Sequence, residues 1–347
     1  MKVFQHVDVF HTGDGIGNDI QGISQFLNTR KIPNYIVTHR FDQKLENIIE
    51  KWTFTNASKK DLHILHYGGF GYPIFDFLQS PGTKILKFHN ITPPEYFEDY
   101  LEENEYDLLT VQFKKSIIEL VTLVEEVSEV WADSAYNLKT LREWTGREIP
   151  HFQIVPIHRR YSQFSGPKDK SIVFLSRWSP HKKLEDVLLL FFYFRKICPD
   201  YTLKIIGKKN SFFVKYNHFI WKRIQDLQLE ESVLILENLK DEEVLQVLKQ
   251  SAVLISMSEH EGFGIPILEA FGTNTIVISF AQEAVVETMR GAGVIFHKKD
   301  YIYLAELMNL ILEKSDLQNK ILTEQRDKLK YYENFPFETV FSKYLQK

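Results

Sequence analysis

Residues 252–270 read Ala252-Val-Leu-Ile-Ser-Met-Ser-Glu-His-Glu-Gly-Phe-Gly-Ile-Pro-Ile-Leu-Glu-Ala270. The opening apolar run has the length of a strand buried on both faces. An acidic loop follows, and glycines lead into a helix-like segment. Pro266 suits a first helical turn, where its missing N–H would have had no partner. Gly262 and Gly264 let a ligand approach the backbone closely. The free N–H groups and the positive end of the helix dipole suit a phosphate. Glu269 stands about one turn beyond Ile265, where a carboxylate can accept hydrogen bonds from the vicinal hydroxyls of a ribose. Glu261 precedes the helix and can face whatever is attached beyond the phosphates. By itself this is also the pattern of an ordinary glycine-bearing helix start with two solvated glutamates. A zinc protease motif is excluded, because Gly264 stands where the second histidine after His260-Glu261 should be.

Outward from this stretch, short strand-like runs alternate with helix-length segments. The spacing predicts strands over Val3–Phe10, Asn34–Thr38, Leu62–His66, Lys84–Phe88 and Glu129–Ala132 in the first half. In the second half it predicts Ile172–Ser176, Leu203–Gly207, Val233–Leu236, Ala252–Met257, Thr275–Ser279 and Val294–Phe296. Helical spacing occupies Asn18–Thr29, Ser134–Trp144, Lys183–Lys196 and Asp241–Gln250, and two helices divide near Asn334–Pro336 in the tail. The alternation implies an α/β chain with parallel sheets. At 347 residues two domains are expected. The polar stretch Pro156–Lys170, without apolar period, marks the junction. Ligands then belong beyond the carboxyl ends of the strands.

Composition narrows the function. The 42 Lys+Arg against 46 Asp+Glu give a net charge of −4, which argues against a nucleic-acid-binding protein. The single cysteine, Cys198, rules out an intrachain disulfide or a multi-cysteine metal site and fits a reducing compartment. No apolar run approaches the length of a membrane span, and the N-terminus lacks a signal-peptide pattern. A cytoplasmic chain is expected. The basic and aromatic segment Lys208–Arg223 reads as a solvated amphipathic helix, with a membrane surface as the other reading.

The motif Glu-Gly-Phe-Gly-x-Pro-x-x-Glu-Ala, with its flanks Asn238-Leu-Lys-Asp-Glu-Glu-Val-Leu and Glu287-Thr-Met-Arg-Gly-Ala-Gly, resembles the signature of retaining glycosyltransferases of family 4, the glycosyl transferases group 1. The resemblance covers most of Ile172–Asp300. It implies the GT-B fold, two Rossmann-like doubly wound parallel-sheet domains facing a central cleft. It divides the chain into an acceptor-side domain over 1–165 and a nucleotide-sugar domain over 166–334, with 335–347 packing back on the first. It assigns Glu269 to the nucleotide ribose and Glu261 to the donor sugar. It assigns Gly262, Phe263, Gly264 and Ile265 to the segment whose backbone meets the diphosphate and sugar. Two departures appear downstream: Gly272-Thr-Asn-Thr replaces the usual Gly-x-Pro-Val, and 280–286 lacks the familiar Gly and Pro.

A departing nucleoside diphosphate needs fixed positive charge. Arg177 and Lys182, five residues apart after the first strand of the second half, match the family's pyrophosphate pair; the guanidinium offers a fork and the ammonium a point charge. Alone, such residues would be solvated surface. In the first half, His11-Thr-Gly-Asp-Gly-Ile-Gly-Asn-Asp19 has glycines at 13, 15 and 17. A dinucleotide fingerprint needs the third at 18, and no acidic residue ends the second strand, which disfavours a nicotinamide enzyme. The loop resembles the family's glycine-rich turn, which places Gly15 and Gly17 near the donor phosphates. Asp14 either meets the acceptor or stabilises the turn. His89-Asn-Ile-Thr-Pro-Pro matches a family segment in which His89 contacts the donor sugar or phosphate; the other reading is a strand-end histidine bonded to backbone. His66, at another strand end, is a candidate on the acceptor side. Trp131-Ala-Asp-Ser134-Ala-Tyr-Asn137 also resembles a family segment, or simply caps a helix through Ser134.

The expected activity is transfer of a sugar from a UDP- or GDP-sugar to a glycan or lipid-linked acceptor in surface polysaccharide synthesis. Retention is expected, with no cofactor, no catalytic metal and no nucleic acid, and with peripheral contact at the cytoplasmic membrane face left open. The rival readings are a non-catalytic subunit of the same fold and a phosphorylase or epimerase.

Overall fold

A computed structural model of the chain describes residues 1–11, 13–41, 49–50, 57–158, 161 and 166–345. Thr12 of the glycine loop and residues 159–160 and 162–165 of the expected junction lie outside the described residues. The chain divides into two compact units. One comprises Met1–Pro93, Asp107–Arg160 and Glu333–Lys347; the other comprises Pro94–Tyr106 and Tyr161–Tyr332.

The first unit carries strands β1 (Val3–Val7), β2 (Val9–Phe10), β3 (Asn34–Val37), β4 (Arg40–Phe41), β5 (Ile49–Glu50), β6 (Leu62–Tyr67), β7 (Thr83–Phe88), β8 (Glu129–Ala132) and β9 (Phe152–Ile154). Seven form one sheet in the order β5-β3-β1-β6-β7-β8-β9, parallel at every pairing. The expected strand Val3–Phe10 is broken at Asp8: β2 leaves the main sheet and pairs with β4. Chain order runs outward in both directions from β1 and β6, so the switch point lies between them. β1 is buried along its whole length, as a strand covered on both faces must be. The last helix, Phe337–Leu345, lays Phe337, Val340 and Phe341 against Val3, Ile23, Leu27 and Trp131. Glu129 fixes it by accepting from Lys343 Nζ at 2.5 Å and from the Tyr344 hydroxyl.

The second unit holds β10 (Ser171–Leu175), β11 (Thr202–Ile206), β12 (Val233–Leu236), β13 (Val253–Ser256), β14 (Ile276–Phe280) and β15 (Val294–Phe296). Their order, β12-β11-β10-β13-β14-β15, all parallel, is the doubly wound arrangement with its switch point between β10 and β13. The helix Val214–Asp226 buries Tyr216, Ile220 and Ile224 and leaves Val214 and Trp221 exposed. Cys198 is half-buried, and its thiol lies 3.1 Å from Asn309 Oδ1. Among the described residues no helix is long and apolar enough to cross a membrane.

Candidate active site

In the second unit the switch point decides which loops meet. β10 and β13 are neighbours, so the turn after Leu175 and the loop after Ser256 lie at the same end of the sheet. The Glu259 amide donates to the His181 carbonyl at 2.9 Å and ties the two together. Lys182 Nζ stands 2.7 Å from Glu261 Oε1, with both side chains 17% exposed. Arg177 projects from the same turn and is exposed. Glu259 is braced in turn by Lys299, 2.6 Å away, and by Lys183 at 3.4 Å.

Gly264 caps the short helix Ile265–Gly272 at φ 94°, a left-handed conformation that side chains other than glycine rarely adopt. Pro266 sits in the first turn. Glu269, on the buried face of this helix, is 7% exposed. The carbonyl of Phe263 accepts from Thr288 Oγ1 at 2.6 Å. Where the sequence departs from Gly-x-Pro-Val, Asn274 takes the left-handed conformation at φ 52°. Lys168 Nζ then donates to the Thr273 carbonyl at 3.1 Å and to Thr275 Oγ1 at 3.0 Å. A hydrogen-bonded turn thus replaces the proline.

The two buried histidines beside the Lys182–Glu261 pair are neutral at neutral pH. Burial, reinforced by the Lys182 ammonium, holds His260 at about 4. The same causes push His181 well below its ordinary value. Their neighbours come from Pro94–Tyr106. The Tyr96 ring lies 5.7 Å from His260, and its hydroxyl donates to the Glu259 carbonyl at 3.2 Å. Phe97 lies 5.6 Å from His181 and stacks on Phe213 at 4.8 Å. Nothing in the spacing of Thr92-Pro-Pro-Glu-Tyr-Phe97 signals this packing.

In the first unit, Asp14 caps the helix Gly15–Thr29, its Oδ1 accepting from the Gly17 amide at 2.6 Å. This is the turn-stabilising role. A Cβ at Gly17 would fall 1.8 Å from the His11 carbonyl oxygen, so only glycine fits. Ser134 caps the helix Ala135–Thr145 by accepting from the Asn137 amide at 3.0 Å. His66 and His89 are not strand-end residues reaching outward. His89 Nδ1 lies 2.8 Å from Asp133 Oδ2, and His89 Nε2 lies 3.0 Å from His66 Nδ1. Both nitrogens of His89 are therefore engaged within the unit. Asp19, Lys87 and Asp133 complete the group, and nothing in their spacing along the chain announces it. Asp19, His66 and His89 bring one ligand-type atom each within 4.8 Å of one another. The cation among them is the Lys87 ammonium, 2.8 Å from Asp19 Oδ2.

The two doubly wound parallel units define the class: an α/β protein of the GT-B fold. Residues 159–330, just under half of the chain, match the family model described as glycosyl transferases group 1. It is 22% identical over 193 residues to the GDP-mannose:cellobiosyl-diphosphopolyprenol alpha-mannosyltransferase of Xanthomonas oryzae pv. oryzae, covering 55% of this chain and 50% of that protein. It is 24% identical over 200 residues to the O-antigen chain mannosyltransferase RfbU of Salmonella typhimurium, covering 56% and 51%. The chain thus spans about half the length of these curated relatives. The crystal structure of Anabaena HepE in complex with UDP-glucose superposes with a TM-score of 0.74 at 16% identity, covering 100% of this chain and 99% of that one.

Proposed function

We propose that the chain is a retaining, metal-independent glycosyltransferase that moves a sugar from a nucleotide diphosphate sugar to a hydroxyl of a glycan or lipid-linked saccharide. The observation that carries this reading is the grouping at the β10–β13 switch point: the exposed Arg177, the Lys182–Glu261 pair and the glycine-opened helix start at Gly264. Cleavage of a sugar–phosphate bond releases negative charge onto the diphosphate, and preorganised cations and N–H dipoles stabilise it. Arg177 and Lys182 supply the cations, and the backbone of Gly262, Phe263, Gly264 and Ile265 supplies the dipoles. A diphosphate arriving there competes with Glu261 for Lys182 and releases the Glu261 carboxylate for the sugar hydroxyls. Glu269 holds the ribose.

In this reading the acceptor oxygen attacks the anomeric carbon on the face from which the diphosphate departs. The leaving phosphate takes the acceptor proton, so no separate base is needed. Residues 1–165 take the acceptor, and Asp14, by capping the helix Gly15–Thr29, holds the turn that carries Gly15 and Gly17. The loop that begins at His89 borders the sugar, and His89 holds that loop through Asp133 and His66. Both UDP and GDP are candidate donor nucleotides, given UDP-glucose with Anabaena HepE and GDP-mannose in the name of the Xanthomonas relative. A role in polysaccharide synthesis at the cytoplasmic membrane face fits the two mannosyltransferase relatives.

Calorimetry with UDP, GDP, ADP and their common sugars tests the reading. One nucleotide should bind, and its sugar conjugate should be turned over once an acceptor saccharide is present. Absence of heat with every nucleotide would sink the proposal.

A further inference from the structure

The buried histidines of the first unit form two hydrogen-bonded pairs, and counting protons separates them. In the His6–His63 pair, His63 Nε2 lies 3.1 Å from the Pro81 carbonyl, an obligate acceptor, so this nitrogen carries a proton. His63 Nδ1 then accepts from His6 Nε2 at 2.9 Å, and His6 Nδ1 accepts from the Tyr72 hydroxyl at 2.6 Å. Two neutral rings satisfy these three bonds.

The His66–His89 pair does not close that way. One end of its chain is the Asp133 carboxylate, 2.8 Å from His89 Nδ1. The other is Gln5 Oε1, 3.1 Å from His66 Nε2. The orientation of Gln5 is fixed, because its amide nitrogen donates to the Ile20 carbonyl at 3.2 Å and to Ser24 Oγ at 2.8 Å. Both ends accept. The three hydrogen bonds, including His66 Nδ1 to His89 Nε2 at 3.0 Å, need three ring protons, and two neutral imidazoles carry two.

The surrounding charge supplies the reason for a third. Asp19 from the helix Gly15–Thr29 approaches His66 Nδ1 at 3.5 Å and His89 Nε2 at 3.9 Å. Lys87 from β7 stands 2.8 Å from Asp19 and 3.7 Å from Asp133. His6 from β1 also faces His66. Two carboxylates against one ammonium leave one uncompensated negative charge in a site closed to water. Such a charge is costly, and a second positive charge cancels it.

We propose that the His66–His89 pair holds three protons, with His89 a resident imidazolium, and that Asp133 and Asp19 are positioning residues acting through it. This rests on the reading that the loop beginning at His89 borders the sugar site. The Asp133 carboxylate, 2.8 Å from His89 Nδ1, places the extra proton on the His89 ring, and burial with the neighbouring positive groups pushes His66 well below its ordinary value. A ring engaged at both nitrogens presents no lone pair and no free N–H to a substrate. Its task is to lock the start of the loop 89–93, where Asn90 takes φ 72° and its amide nitrogen donates to Asn137 Oδ1 at 3.0 Å. Loss of that proton would remove a hydrogen bond from the chain and leave the cluster negative.

Nitrogen-15 NMR of the unaltered protein, labelled at its histidines and without donor, counts the protons directly. At pH 7 one buried ring should carry protons on both nitrogens. Asp133→Asn should move the titration of that ring down by about 1–3 pH units, the range for removing a neighbouring opposite charge. Asp133→Glu should restore most of the shift. Two singly protonated rings in the unaltered protein would overturn the proposal, as would an Asp133→Asn titration that stays in place. Neither readout needs turnover, so a chain that transferred no sugar would defeat the glycosyltransferase reading and leave this count to stand or fall separately. In an active chain, the alkaline limb of kcat should follow the ring in Asp133→Asn; a limb that stays put would refute the positioning role.

Discussion

Charged groups gather at the carboxyl end of each parallel sheet, and the two units handle them in opposite ways. In the first, Asp19, Lys87, His66, His89 and Asp133 are buried and pair with one another. In the second, Lys182 and Glu261 keep partial contact with solvent, and no ion pair or hydrogen bond holds the Arg177 guanidinium among the described residues. The difference is one of dielectric. A buried cluster has to balance its own charge and proton count, because an unpaired ion in the interior costs several kcal/mol. A half-open cluster can leave charge unspent for a ligand. Removing a charge should therefore damage stability in the first unit and function in the second.

The largest effect expected from this contrast is Lys87→Met. It leaves Asp19 buried without its ammonium, and truncating one partner of a buried pair costs about 3–5 kcal/mol. Lys182→Met, at the half-open pair, should cost about 0–1 kcal/mol. Urea unfolding of both variants checks this, and equal losses would break the contrast. Next comes acid sensitivity. Burial holds His63 at about 4, against an ordinary value near 6.5. Between these values the unfolded chain binds a proton that the folded chain refuses. Stability from this group is thus intact above pH 6.5 and lost as pH falls toward 4, at about 1.4 kcal/mol per pH unit and roughly 3 kcal/mol in total. Unfolding midpoints from pH 7 to 4.5 should show a shallower slope in His63→Gln. An unchanged slope would mean that another buried histidine carries it.

What the residues reveal in advance follows the same division. The half-open cluster lies on loops just after strands, where glycine, proline and charge in a fixed spacing have few purely structural explanations, so Arg177, Lys182, Glu261 and Glu269 stood out. Strand positions were also readable from apolar runs: Glu129–Ala132, Val233–Leu236 and Val294–Phe296 occupy the expected spans. The sealed cluster was illegible. Lys87 sits between Leu86 and Phe88 in β7, and Asp19 lies within a helix. Their partners come from four separate chain segments, and only the folded sheet brings them together. Pro94–Tyr106 was hidden for the same reason, because its ring contacts with His181 and His260 are long-range.

Three substitutions sharpen the functional half of the comparison. Arg177→Ala removes an exposed cation with no ion pair or hydrogen bond from its guanidinium among the described residues, so unfolding should be unaffected. Turnover should fall ~100-fold or more, as for loss of one donor to transition-state charge. A near-normal kcat would end its assignment to the diphosphate.

Glu269→Ala should have the smallest effect and discriminates most sharply, because this carboxylate is buried and yet is proposed to meet the ligand. If it serves the fold, its loss should lower the unfolding midpoint and leave nucleotide affinity alone. If it accepts hydrogen bonds from ribose hydroxyls, affinity should drop by about 1–3 kcal/mol, the range for hydrogen bonds to a charged group. The loss should be the same for the free nucleoside diphosphate and its sugar conjugate, since the ribose is common to both. Glu261→Ala should instead weaken the sugar conjugate more than the free diphosphate, because the sugar lies beyond the phosphates. Calorimetry of both ligands against both variants gives four affinities. A uniform loss at Glu261 with none at Glu269 would exchange the two roles and turn the proposed donor orientation end for end.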